Sequence, residues 1–246
     1  MIGLGTVINF IAIVSGALIG TFLGDRLSSR TRNVVTDALG LVTFLVAGLS
    51  IIDINRPEIK AELGPGIPVL IVLGSLVLGG ITGSFLRLEN RFENIGKSLK
   101  KSLRKRIKAN DSTFVEGFVS ASLLFVVGPL AILGSISDGL GRGIEQLALK
   151  SSLDFFASIA FAASLGIGVA FSAVAVGIYQ GLFTLLGFGL GDILTDSQVI
   201  ALTVTGGLLL VGVSLRLLRI KQLPVADLLP ALIYAPILVK IWTMFQ

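Results

Sequence analysis

Asp37, Asp154, Glu116, Asn9, Gln180, Tyr179, Ser158 and Thr184 lie within or at the edges of long apolar runs, and they are the residues of this chain best able to do chemistry. That chemistry is narrow. Among 246 residues there is no histidine and no cysteine, which removes thiolate nucleophiles, disulfides, Cys/His metal sites and histidine-based triads. Carboxylates, amides and hydroxyls remain, groups that hold an ion, pass a proton or hydrogen-bond a solute. Such groups resist burial in hydrocarbon and mark pathways when they are found there. No cofactor, no resident metal and no enzymatic activity are expected.

Each residue also has a plainer reading. Asp37 and Asp154 fall one turn inside their apolar runs, where a carboxylate favours a helix N-terminus. Lys150 precedes Asp154 by one helical turn and can pair with it, and Glu116 stands in a comparable place near the start of its run. Gln180 lies deeper, beside Tyr179 and one turn before Thr184. An unpaired amide in hydrocarbon costs several kcal/mol, so Gln180 needs either a neighbouring helix or a polar cavity. Asn9, Ser158 and Ser164 are the nearest comparable polar groups. Gly128-Pro129 interrupts one run, and Pro224, Pro230 and Pro236 recur along another. Such breaks expose backbone groups in transporters and only bend helices elsewhere. The glycine-rich stretch from Ser137 to Gly143 reads as a flexible external turn or an anion nest. Gly189-Leu190-Gly191-Asp192 matches the G-x-G-D of intramembrane aspartyl proteases, but their Tyr-Asp pair is missing and Asp192 sits at a span end.

The elements that must position these groups follow from composition. The chain is 53% hydrophobic and 14% charged, with mean hydropathy +0.93, whereas a soluble domain is about one-quarter charged. A bilayer is therefore the expected solvent. Crossing it takes about 20 apolar residues, and eight stretches qualify: 2–24, 34–52, 66–86, 113–135, 152–171, 173–191, 198–216 and 225–244. The fifth and sixth are separated only by Gly166 to Ser172, so they form a tight hairpin or one broken helix, and seven is the fallback count.

Fifteen of the twenty basic residues fall in three segments, after spans one, three and seven. Alternating eight spans puts these on one side, the cytoplasmic side of an inner membrane, with both termini outside. The densest is 87–108, where Leu88, Phe92, Ile95, Leu99, Leu103 and Ile107 recur on one helical face opposite the basic residues. Such a helix lies on anionic inner-leaflet lipids or serves as an orientation signal and spacer. It accounts for much of the pI near 9.7 without nucleic acid as a partner.

Three spans on either side of this linker predict an inverted repeat, because an odd unit duplicated must enter the membrane in opposite senses. Asp25 and Asp37 in the first unit correspond to Asp138 and Asp154 in the second, at offsets of 113 and 117. The predicted organisation is a first unit 1–86, a linker 87–112, an inverted unit 113–191 and two further spans in 192–246. Small residues recur every four positions, as at Ala12, Gly16, Gly20 and Gly24. They imply close helix crossings within a bundle or between copies in a homo-oligomer.

Several ordered blocks resemble a bacterial family. They include Glu116-Gly117-Phe118, Gly128-Pro129, Gly134-Ser135-Ile136, Asp138-Gly139-Leu140, Lys150-Ser151, Leu153-Asp154, Tyr179-Gln180-Gly181 and Leu228-Leu229-Pro230-Ala231-Leu232. With them the chain is similar, over nearly its whole length, to the domain-of-unknown-function 554 family of integral membrane proteins. The resemblance implies a multi-span inner-membrane protein, often described as a transporter, and brings no substrate. The chain has Arg142-Gly143 where that family commonly carries an acidic residue, which argues against a cation role for this loop. The expectation is an all-α polytopic bundle that moves a small solute or ion. Gln180, Tyr179 and Pro129 would line the path, with Asp154 and Asp37 as coupling groups. The competing class is a non-transporting scaffold or assembly protein.

Overall fold

The structure, a computed structural model, describes residues 2–103, 111–127, 129–190 and 194–245. Its helices are α1 (Leu4–Gly24), α2 (Ser29–Ile52), α3 (Pro57–Leu63), α4 (Ile67–Leu86), α5 (Leu88–Leu103) and α6 (Asp111–Val126). They continue as α7 (Pro129–Gly139), α8 (Glu145–Leu165), α9 (Ser172–Leu190), α10 (Asp196–Leu217), α11 (Val225–Leu228) and α12 (Ala231–Met244). No strand occurs among the described residues. In hydrocarbon every backbone polar group must be satisfied within its own segment, and a helix does this for a long apolar run.

Seven helical spans among the described residues are long and apolar enough to cross a membrane, or eight if the bent pair α6–α7 is one span. That pair turns by 63° around the expected break, with Gly128 itself outside the described residues. Phe22, Leu41, Ile178 and Leu185 stand 60–70% exposed on these helices. Apolar surface of this extent faces lipid rather than water. The chain is a membrane protein.

Two predicted boundaries need correction. α2 starts at Ser29 rather than 34, and α8 at Glu145 rather than 152. Hydropathy drops where Arg30, Arg32, Glu145 and Lys150 begin, but the backbone helix continues beneath them. Spans five and six are separate helices: Gly166 adopts φ +82°, which favours glycine, and a 3-10 turn at Ile167–Phe171 leads into α9.

The chain forms two compact units, each assembled from two separated stretches. The first joins Met1–Leu39 to Phe92–Ile193. In it α1 lies parallel to α8: Gly16, Gly20 and Gly24 face the backbone carbonyls of Phe155, Ile159 and Ala163, one contact per turn. The space beside each glycine is already occupied by the opposing backbone. Gly139 and Gly187 make the same kind of approach where α7 crosses α9. Phe114, Phe125 and Phe161 fill the space between α6, the 3-10 turn and α8. On α5, Gly96 faces the Phe118 ring of α6, which would lie 3.1 Å from a Cβ at that position, while Ile95 is half exposed. Residues 104–110, the end of the predicted amphipathic face, lie outside the described residues.

The second unit joins Gly40–Arg91 to Leu194–Gln246 and is built around α10, most of which is buried. Gly207 on α10 packs against Ala47 and Ser50 of α2, and Ile200, Ala201 and Val204 pack with Ile71 and Val72 of α4 and Ala235 and Val239 of α12. α4 runs antiparallel to the chain through α11 and α12, with Gly79 beside Ala231 of α12 and Gly83 beside Asp227 of α11. One end is closed by exchanged caps. The Glu89 carboxylate accepts from the Ala226 N–H at 2.9 Å, the Asp227 carboxylate accepts from the Glu89 N–H at 2.9 Å, and Arg216 pairs with Glu89. Each carboxylate meets the positive end of the other's helix.

Candidate functional site

The polar residues of the first unit collect on three helix faces. Lys150, Asp154 and Ser158 repeat every four residues and share one face of α8. Thr6 and Asn9 share one face of α1, and Gln180 and Thr184 share one face of α9. Because α1 packs on both α8 and α9, these faces converge along a buried seam.

Asp154 is its centre. Lys150 Nζ donates to both carboxylate oxygens, at 3.0 and 2.8 Å, and Asn9 Nδ2 donates to Oδ2 at 3.0 Å. The Lys150 and Asp154 side chains are 9% and 8% exposed, and Asn9 is fully buried. Two charges taken out of water recover their desolvation cost only in close contact with further hydrogen bonds. Here both conditions hold.

Around this pair are polar atoms that nothing in the protein satisfies. Asn9 turns its Nδ2 to the carboxylate, so its Oδ1 points away, buried and without a partner. Ser158 Oγ, Ser122 Oγ and both amide atoms of Gln180 are likewise buried and unpartnered. Thr6 meets Thr184 at 3.5 Å, and Gly177 faces the Phe10 ring. α1 and α9 are therefore antiparallel, in a register that sets Gln180 level with Asn9. Ser122 precedes Phe125 by one turn of α6, and the Phe125 ring lies 6.3 Å from that of Phe161 with Lys150 Nζ 6.0 Å over it. α6 ends one residue later, at Val126, so the break in span four falls beside the ion pair. The last turn of a helix carries carbonyls without intrahelical partners and a partial negative charge.

Five of the expected residues thus come together: Asn9, Asp154, Ser158, Gln180 and Thr184. Four do not. Asp37 is exposed on α2, and its neighbour Thr36 bonds Ser164, ten residues or about 15 Å along α8 from Asp154. Glu116 is half-buried at that same end, where Gly117 packs on Leu165. Tyr179 is about 100° round α9 from Gln180, where it packs in a tilted arrangement against Phe183 at 5.0 Å between centroids. Pro129 opens α7 at the bend.

Some readings are corrected. Asp154 is no helix cap, because α8 begins nine residues before it, and Asp37 is similarly deep in α2. Ser137 to Gly139 form the last turn of α7 rather than a loose external turn. There the Asp138 carboxylate is buried and accepts from the Gly3 and Gly5 N–H groups at 3.1 and 3.0 Å, capping α1 from another helix. Asp25, its proposed counterpart, is instead exposed at the end of α1. Gly191 and Asp192 of the protease-like motif lie outside the described residues. Sequence reasoning passed over Ser122, which no motif distinguishes from other serines in apolar runs.

Comparison with known proteins agrees with this description. Residues 4–240 match the family described as Protein of unknown function (DUF554). The chain is similar to the Uncharacterized membrane protein YdfK of Bacillus subtilis (strain 168), 27% identical over 235 residues that cover 96% of this chain and 95% of that one. It is also similar to the Uncharacterized protein YqgA of Escherichia coli (strain K12), 28% identical over 241 residues, 98% and 97% of the two chains. No solved structure matches.

Proposed function

We propose that this chain, which belongs to the DUF554 family, moves a small solute or ion across the bilayer along the polar seam between α1, α8 and α9. One observation carries the reading: fully buried amide and hydroxyl atoms without protein partners lie along the same seam as a buried Lys150–Asp154 pair. Each unsatisfied group costs about 1–3 kcal/mol, a burden that a passing ligand would relieve. A scaffold would do better with apolar side chains there. The close glycine contacts of α1 with α8 favour that second reading, since they suit a rigid assembly element.

Gln180→Leu separates the two. It removes the unsatisfied amide at similar volume, so thermal stability should be equal or higher in either case. If the seam is a path, proteoliposomes holding the wild type should move at least one member of a panel of alkali salts, amino acids and sugars, and the variant should lose that flux. Wild-type protein without flux for any of them would sink the reading.

The reading extends to placement. The chain sits in the plasma membrane with its basic segments cytoplasmic and its termini outside, and the basic face of 87–108 meets anionic lipid. An inverted duplication of 2–86 by 113–191 rests on the odd number of spans in each. The aspartate offsets no longer support it, because the paired residues have different environments. Close crossings of small residues also allow a homo-oligomer. With no native cysteine, Ser98→Cys on α5 should react with an impermeant maleimide only in inverted vesicles, and Asn55→Cys only in intact spheroplasts. Labelling of both from the same side would overturn this orientation.

A further inference from the structure

We infer that the seam holds a partly dehydrated alkali cation at the Asp154 carboxylate, in competition with the tethered Lys150 ammonium; the inference rests on the transport reading and specifies its ligand. The seam holds the kinds of atom a hard monovalent cation requires. Asp154 supplies a carboxylate, and a half-turn of the Asn9 amide would exchange the bonded Nδ2 for the unpartnered Oδ1 at the same position. Ser158 Oγ, one turn along α8, and Gln180 Oε1, level with Asn9 on α9, are further buried oxygens along the seam with no protein donor to satisfy them. Oxygen ligands select alkali and alkaline-earth ions over transition metals. A single carboxylate selects the monovalent ones, and among the described residues no three acidic, histidine or cysteine groups gather to hold a metal.

Lys150 already places a positive charge against that carboxylate, at 2.8 Å. The arrangement is thus one anionic position with a resident cation that can be displaced but not lost. Displaced, the ammonium has somewhere to go. The Phe125 ring lies 6.0 Å from Nζ, at the outer range of a cation–π contact, and α6 ends beside it with its partial negative charge. A helix that breaks beside an ion site is also the arrangement by which half-helix ends coordinate cations in transporters. An anionic ligand fits less well, because Lys150 is fully engaged by Asp154 and the nearest helix end presents carbonyls.

The test is equilibrium binding of radioactive sodium to the full-length protein in nanodiscs, with lithium, potassium and choline as competitors and circular-dichroism melts to check folding. Lys150→Met removes the competing ammonium and should tighten sodium binding about tenfold or more. Lys150→Met/Asp154→Asn keeps the site uncharged and should bind no sodium while melting like a folded protein. Lithium or potassium should displace sodium, and choline should not. Sodium binding by Lys150→Met no tighter than by the double variant would overturn the inference, as would displacement by choline. If that happens while neutral solutes still cross, the cation assignment fails and the transport reading stands. Loss of both flux and binding in folded protein would overturn both.

Discussion

Asp154→Ala is expected to destabilise the protein by about 3–5 kcal/mol, because it leaves Lys150 as a buried charge without a counter-ion. The side chain of Lys150 is 9% exposed, so it has little access to water once its partner is gone. Asn9 Nδ2 loses its acceptor in the same step. Lys150→Met/Asp154→Leu should recover most of the loss or exceed the wild type, since uncharged side chains of similar size avoid the desolvation of two ions. Thermal melts of the two variants in one detergent make the comparison. A single variant as stable as the wild type would mean that the pair is hydrated and not sealed within the seam.

The second large effect belongs to Gly20. A Cβ there would lie 2.2 Å from the carbonyl oxygen of Ile159, backbone that cannot swing aside. Gly20→Ala should cost about 1–3 kcal/mol through overpacking, and Gly20→Leu should force α1 off α8 altogether. Gly48 and Gly181 provide the contrast, since nothing lies within 4 Å of a Cβ at either. Alanine at those positions should be neutral or gain up to about 1 kcal/mol of helix propensity. A stability loss at Gly181 equal to that at Gly20 would show that glycines with open space beside them contact a second copy, and would sink the assignment of the α1–α8 row as the critical one. Gly20→Leu should also abolish flux, because Asn9 sits on the helix it displaces.

The spans were legible because hydrocarbon demands length and apolarity, both visible in one dimension. Their true starts were less so: Glu145 and Lys150 depress hydropathy over a stretch where Leu147 is already fully buried. The Lys150–Asp154 pair could be read from its spacing, but Asn9 joins it across 145 residues, and pairing at that distance leaves no local trace. The same limit concealed Asp138 over α1 and the exchanged caps of Glu89 and Asp227. A carboxylate at the end of an apolar run resembles a solvated loop until its partner helix is known. Tyr179 misled for a geometric reason, since adjacency in sequence puts residues on different helix faces.

Asn9 leaves the ribosome long before the carboxylate that it will bond. At roughly 5–20 residues per second, the 145 intervening residues take about 7–30 s to make. Throughout that interval α1 resides in or beside the bilayer with an unpaired amide and a bare glycine face. Nascent α1 therefore depends on shelter, by the insertion machinery or by a chaperone, until α8 arrives. Chains stalled before residue 145 should be preferred substrates for membrane quality control.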